Sequence, residues 1–400
     1  MKKINSKPFN HLTDEELIRF IQEYSGLKVG VLTGGGDAPG CNAVFQGILD
    51  KAEETGYLVV AFKDGFYGVV QELPKLSDAL WDAPIDLSMR GGTIIGSSRV
   101  NPSKVFLDSE GRVIEKRDYA AKQENREAYV SSAIQSLGLE GLILAGGDNT
   151  LSAGCKLSAL NIPVVGIPKS IDDDYGFVYA FGRHTSVDRA VGMVDYLRST
   201  AESHGRDIVV EVMGRKCGRI ALDTGIATHA DIILTPEFEF LSSAVFNILG
   251  NNRKQGKRYN VIVISEGAVS VGGEEEYSSK DSDGYGEKIL GGSGAAFAKK
   301  LSQFYRANGF GDDIVRSQQV GHFHRSGNPN EADRVRGYKY GVGAMELVLN
   351  KEWGSMIGYM NGLYISQPIE TINHLKRVSD DEYDAQRCNT KLSVLHINGS

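Results

Sequence analysis

KVGVLTGGGDAPG, residues Lys28–Gly40, runs from an apolar segment straight into clustered glycines. Lys28–Thr33 reads as a buried strand, Gly34-Gly35-Gly36-Asp37-Ala38-Pro39-Gly40 as the turn after it, and Asn42–Glu53 as the helix that follows. Glycines in such a turn let backbone N–H groups approach phosphate oxygens, and the helix N-terminus adds favourable dipole charge. A tight strand–helix connection is the alternative reading. The turn is not the G-x-x-x-x-G-K-[ST] loop, which occurs nowhere in the chain.

Outward from this unit the pattern repeats. Tyr57–Phe62 reads as the next strand, and apolar runs recur at Gly141–Ala145, Pro163–Ile167, Ile208–Val212, Ile232–Leu234 and Val261–Ile264, with helical stretches between many of them. That alternation predicts an α/β fold of mainly parallel sheets with helices on both faces. Glycines cluster directly after strands, at Gly34–Gly36, Gly91-Gly92, Gly146-Gly147 and Gly214; strand carboxyl ends are where open α/β sheets bind ligands. Thr13-x-x-Glu16 ahead of Leu17, Ile18, Phe20 and Ile21 predicts a capping box opening an amphipathic helix. Glu274–Gly286 is polar and without period, so it reads as a surface loop.

The chain has 400 residues, 41% hydrophobic and 24% charged, which predicts a soluble protein of two domains. A net charge of −7 argues against nucleic-acid binding and requires an anionic substrate to find local basic groups. Cys41, Cys155, Cys217 and Cys388 form no C-x-x-C pair, which argues against structural zinc and fits a reducing cytosol. No apolar run follows Met1-Lys2-Lys3, and the longest apolar stretches are strand-sized, so neither a signal peptide nor a membrane span is expected.

Three further segments carry chemistry. In Gly146-Gly147-Asp148-Asn149-Thr150 the aspartate stands where a carboxylate can hold Mg²⁺ against phosphate, or simply cap a helix. Pro168-Lys169-Ser170-Ile171-Asp172-Asp173-Asp174 places three successive carboxylates after a strand. Their mutual repulsion needs cations or hydrogen bonds to offset it, although a solvated acidic turn is the ordinary reading of such a run. Met213-Gly214-Arg215 and Glu266 also follow strands. Arg206, Arg316, His322 and Arg325 add positive charge, and arginine forks match phosphate geometry; taken singly, each is more often a surface pair, and His322 a structural histidine.

Together GGGDAPG (34–40), RGGTIIGSSR (90–99), GGDNT (146–150), PKSIDDD (168–174), VEVMGRKCGR (210–219) and GHFHR (321–325) resemble the phosphofructokinase family, in family order, over about residues 28–336. The resemblance implies two Rossmann-like three-layer αβα domains: 1–26 as a helical extension, 27–182 binding the phosphoryl donor, 183–328 binding the sugar phosphate, and 329–400 returning to the first domain. It implies phosphoryl transfer to the 1-hydroxyl of fructose 6-phosphate in the cytoplasm, with Asp172 as general base and Asp148 and Asp174 organising Mg²⁺. Lys169 and Arg215 would share in catalysis, while Gly35, Arg99, Asp148, Asn149 and Thr150 would meet the donor. Ser170, where threonine is more usual, would bond a phosphate oxygen. Met213, Gly214, Arg215 and Glu266 would hold the sugar, and His322 and Arg325 its 6-phosphate. Arg206 and Arg316 match residues that reach a neighbouring subunit's site, which implies a homodimer or homotetramer.

Asn149 and Lys169 bear on the donor. ATP-using relatives usually have glycine at both positions, and pyrophosphate-using relatives aspartate and lysine. Lys169 fits pyrophosphate, although some ATP-dependent relatives share it. Asn149 keeps the bulk of aspartate without its charge, which at ~4 Å and an effective dielectric near 20 is worth roughly 4 kcal/mol before screening. Asp283–Gly294 also resembles pyrophosphate-type and long bacterial members. The resemblance therefore implies pyrophosphate as donor. The alternatives are ATP, another acceptor such as sedoheptulose 7-phosphate (given the unusual Arg183-His184 pair), or a non-catalytic sugar-phosphate-binding regulator.

Overall fold

Lys28–Gly34 is buried along its whole length, because helices cover both faces of its sheet; a continuous apolar run is what such a strand requires. In the computed structural model, which describes residues 12–114, 121–175, 179–282, 288–373 and 377–379, it pairs in parallel with Leu58–Phe62 and Leu142–Gly146. Leu142–Gly146 pairs in turn with Val164–Ser170, also in parallel, and Val164–Ser170 with Ser355–Met360. Antiparallel strands close the edges: Leu76–Ser77 at one end and Leu363–Pro368 at the other. The second sheet is wholly parallel, in the order Ile232–Leu234, Val261–Ser265, Asp207–Val212, Val315–Gln319. The architecture is the α/β, mainly parallel one predicted from the alternating pattern.

The helix after the glycine turn runs Cys41–Thr55, slightly longer than Asn42–Glu53. The capping box is present: Thr13 Oγ1 accepts from the Glu16 N–H at 3.3 Å and Glu16 Oε2 accepts from the Thr13 N–H at 2.8 Å, opening the helix Asp14–Glu23. After the second sheet the helix Glu331–Leu349 packs on Cys41–Thr55, with Tyr338 donating to Asp50 at 3.0 Å, and leads into Ser355–Met360. The chain thus returns to the first sheet.

The expected loop at 274–286 is a correction. Tyr277–Ser282 is a strand, paired antiparallel with Lys288–Leu290; residues 283–287 lie outside the described residues, as do Cys388 and residues 380–400. The pairing shifts register between Tyr277 and Ser282, and the sequence lacks the apolar alternation by which a strand is recognised. A second small sheet, Val105–Leu107, Val113–Ile114 and Lys122–Glu124, was likewise not predicted. Cys41, Cys155 and Cys217 are free thiols. Among the described residues no helix is long and apolar enough to cross a membrane.

Candidate active site

The carboxyl ends of Lys28–Gly34, Leu142–Gly146 and Val164–Ser170 open on one cleft of about 280 Å³. On one wall Lys169 is buried, and its ammonium donates to the Gly36 carbonyl. Burial lowers the Lys169 pKa, with the Arg325 and Arg99 charges acting the same way. Arg325 reaches across from the second sheet and donates to the Asp37 carbonyl at 3.0 Å. Gly36 permits that approach, since a Cβ there would lie 3.0 Å from an Arg325 nitrogen. Arg99 and Arg215 line the same space.

The glycine turn differs in detail from expectation. The Gly35 N–H donates to the Ser98 carbonyl at 2.7 Å, so this amide is occupied. Gly35 and Gly36 line the cleft, but the helix N-cap is Gly40, several residues further on and outside the lining. The helix whose N-terminus does line it is Asp148–Ala159, through Gly147, Asp148, Asn149 and Thr150. Its N-cap is Gly147, and Asp148 makes no capping bond. The capping reading of Asp148 is thereby corrected: its exposed carboxylate faces the cleft.

The carboxylate turn lies on the floor. Ser170 Oγ accepts from the Asp172 and Asp173 N–H groups at 3.1 and 3.3 Å and donates to Asp174 Oδ1 at 3.1 Å, so the hydroxyl serves the turn itself. Asp172 and Asp174 line the cleft; Asp173 does not. The Oδ1 of Asp172 is buried without a hydrogen-bond partner. Burial raises the Asp172 carboxyl to about 6, opposed by Arg325 and reinforced by Glu266. Burial, with the charge of Asp172, likewise raises Asp174 to about 6.

The loop after Asp207–Val212 lines the cleft through Arg215; Met213, Gly214 and Glu266 are not among the lining residues. Glu266 Oε1 accepts from the Gly214 and Arg215 N–H groups at 3.3 and 3.0 Å, and burial raises its pKa. Gly267 is needed here because a Cβ would sit 2.1 Å from the Arg215 carbonyl oxygen. Met213 is held by a residue the sequence reading passed over. His324 is fully buried, its Nε2 accepts from the Met213 N–H at 3.2 Å, and its Nδ1 meets Ser186 Oγ at 2.8 Å and the Ser186 carbonyl at 3.1 Å. Burial pushes its pKa down to about 4, so the ring is neutral at pH 7 and carries its proton on Nδ1.

Not every expected residue reaches the cleft. His322 is exposed on the turn whose other end supplies Arg325, and it is not among the lining residues. Arg206 and Arg316 stand at the amino-terminal edge of the second sheet. Arg316 makes a forked contact to Asp313 at 2.6 Å on both nitrogens, and Arg206 pairs with the same carboxylate at 3.8 Å. Strands at ~3.3 Å per residue put that edge roughly 20 Å from Met213.

A parallel α/β sheet with a cleft at its strand ends, carboxylates facing lysine and arginine, is the design of proteins that handle small anionic ligands. The phosphofructokinase family model matches residues 28–348, and the chain belongs to that family. A pyrophosphate–fructose 6-phosphate 1-phosphotransferase of Amycolatopsis methanolica is 36% identical over 365 residues, 90% of this chain and 98% of the relative. An ATP-dependent 6-phosphofructokinase of Aquifex aeolicus is 34% identical over 373 residues, 92% of this chain and 100% of the relative. A pyrophosphate-dependent phosphofructokinase structure from Marinobacter aquaeolei superposes with a TM-score of 0.70 at 18% identity, covering 89% of this chain and 88% of that one; at this identity the likeness concerns the fold. Against Saccharomyces cerevisiae phosphofructokinase the TM-score is 0.66 at 25% identity, and this chain spans 47% of that longer one.

Proposed function

We propose that the chain is a phosphofructokinase that moves a phosphoryl group reversibly between pyrophosphate and the 1-hydroxyl of fructose 6-phosphate, with Mg²⁺ and with Asp172 as general base. The observation that carries this reading is the partnerless, buried Oδ1 of Asp172 on the floor of a cleft walled by Lys169, Arg99, Arg215 and Arg325. An unsatisfied buried carboxylate oxygen is costly to keep, and an acceptor hydroxyl donating to it removes the cost. A base near pKa 6 is ionised at pH 7 yet still basic enough to take that proton. The four cations then hold and neutralise the migrating group, which is most of what phosphoryl transfer asks of a protein.

The carboxylates suit Mg²⁺. Asp148 and Asp174 would hold it through hard oxygens, and the raised Asp174 is a group that a cation would relieve. Among the described residues no three His, Cys, Asp or Glu side chains form a closed cage; this ion keeps waters and takes phosphate oxygens instead. When bound it supplies charge neutralisation on the donor. Met213, Gly214, Arg215 and Glu266 would seat the sugar and Arg325, with His322, its 6-phosphate. Arg206 and Arg316 would complete the site of a neighbouring copy in a homodimer or homotetramer. We assign the donor side to 27–182 and the sugar side to 183–328, in a cytoplasmic enzyme of glycolytic carbon flow.

Pyrophosphate is favoured by Lys169, whose buried ammonium sits 3.8 Å from the position of a Gly35 Cβ in the cleft that Asn149 also lines. ATP is the second reading, favoured by the extension of the cleft to Val105, Phe106 and Ile114, apolar lining that pyrophosphate does not need. Turnover of fructose 6-phosphate with each donor at saturating Mg²⁺ decides between them. The expected result is a higher kcat/KM for pyrophosphate, with Asn149→Gly improving ATP use. A higher kcat/KM for ATP in the unmodified chain overturns the donor assignment.

A further inference from the structure

Asp173 stands between the two carboxylates of the cleft yet faces away from it. Its φ is +52°, a left-handed conformation that a non-glycine residue holds only when its surroundings impose it. The side chain is buried, and Oδ1 accepts from the Ala180 N–H at 2.7 Å. Arg183 Nε lies 3.1 Å from Oδ2, an ion pair without the alignment of a hydrogen bond, and the other end of the same guanidinium donates to Asp223. Asp223 is on Arg219–Ala227, the helix that directly follows the Met213–Gly218 loop. Arg183 opens the helix Arg183–His204, and Asp333 anchors that opening by accepting from the Gly182 and Thr185 N–H groups at 2.8 and 2.7 Å. One guanidinium therefore ties the carboxylate turn of the first sheet to the helix behind the sugar loop of the second.

A buried ion pair adds little net stability, because desolvation offsets its attraction. What such a bridge fixes is geometry. We propose that Arg183 is a positioning residue of the transfer reaction: held between Asp173 and Asp223, it fixes the direction of Asp172 relative to the sugar loop. The inference rests on the assignment of Asp172 as base. Turning Asp173 outward presents its two neighbours to the cleft, and clamping it from the second sheet sets the distance between base and acceptor hydroxyl. A displacement of about 1 Å there costs on the order of 10²-fold in rate.

The test measures kcat and KM for both substrates in Arg183→Ala, Arg183→Lys, Asp223→Asn, Asp172→Asn and the Asp172→Asn/Arg183→Ala double variant. Arg183→Ala is expected to lower kcat ~10–100-fold with KM changed less than ~3-fold. Arg183→Lys, which keeps the charge, should recover most of that loss. In the Asp172→Asn background Arg183→Ala should cost nothing further, because both act through one group. Wild-type kcat in Arg183→Ala, or the same fold-loss in both backgrounds, overturns the proposal and leaves the base assignment standing. Wild-type kcat in Asp172→Asn removes the base assignment itself. Where Arg183→Ala does not fold, Asp223→Asn takes its place: a kcat loss of several-fold at unchanged KM supports the bridge, and wild-type kcat overturns it.

Discussion

On the donor side of the cleft, Gly35, Arg99, Asp148, Asn149, Thr150 and Lys169 all line one space in a single chain. On the sugar side only Arg215 and Arg325 do; Met213, Gly214, Glu266 and His322 stand near strand carboxyl ends without lining it, and Arg206 and Arg316 are parked on Asp313 at the far edge of the second sheet. For the two arginines the difference follows from topology. Donor residues sit where parallel strands of one sheet end, so consecutive βα units converge on them. The two arginines sit where strands begin, and nothing in the chain's own fold can bring a strand's start to its end. On the function proposed here, the donor half is complete in one copy and the sugar half needs a second.

The largest expected effect strikes the floor common to both halves. Asp172→Asn should lower kcat by ~10²–10⁴, the usual worth of general-base assistance, with little change in KM for either substrate. In the unmodified enzyme kcat/KM should fall tenfold per pH unit below about 6, because the ionised carboxylate is the active form and its pKa is raised to about 6. Turnover by Asp172→Asn within a few-fold of wild type would remove the base.

The next effect separates the halves. Arg316→Ala or Arg206→Ala should raise KM for fructose 6-phosphate ~10–100-fold, the loss of one charge-assisted phosphate contact, and leave KM for the donor unchanged. The sharper version mixes the two variants at fructose 6-phosphate well below the raised KM, where both are nearly inactive. In hybrids of Asp172→Asn and Arg316→Ala chains, a site taking Asp172 from one and Arg316 from the other is intact, so random dimers should regain about a quarter of wild-type activity. No recovery on mixing would mean that each chain builds its sugar site alone.

The same contrast marks what could be read from the sequence. That these three segments meet in one cleft was legible because each is local: strand, glycine turn and carboxylate stand in one stretch at Lys28–Gly40 and at Leu142–Thr150, and strand and carboxylates at Val164–Asp174. The sugar half depends on contacts between distant segments. Nothing in GHFHR tells which histidine faces the core, and it is His324, not His322, that holds the Met213 N–H. Arg183 and Asp223 are forty residues apart, and their pairing requires two helices to cross. Local signals also misled at Gly40, where a glycine cluster and a helix start were read as one cradle although the helix begins beyond the cleft. For His324 the expected effects are moderate: Ala leaves the Met213 amide buried without its acceptor, at about 1–3 kcal/mol, and should raise KM for fructose 6-phosphate ~5–10-fold. His324→Gln, which keeps an acceptor and a donor, should stay within ~3-fold of wild type. Equal losses in both would show that ring packing, not the hydrogen bond, is what matters.

The smallest effect concerns stability. Asp172 has a folded-state pKa of about 6 against an ordinary 3.8, so between those values the folded chain holds a proton that the unfolded chain has lost. Stability therefore falls as pH rises through that window, and above it the ionised carboxylate costs the metal-free fold up to roughly 3 kcal/mol. Asp172→Asn removes the charge while keeping the shape. Without Mg²⁺ at pH 7.5 its Tm should exceed wild type by ~2–4 °C, and the gain should vanish by about pH 4, where the wild-type carboxyl is protonated in the fold. Added Mg²⁺ and pyrophosphate should narrow the gap at pH 7.5, since cations then relieve the wild-type carboxylate. A Tm below wild type at pH 7.5 would mean that contacts hold Asp172 in place, rather than the fold holding it against its own charge, and the argument from its partnerless oxygen would fail with it.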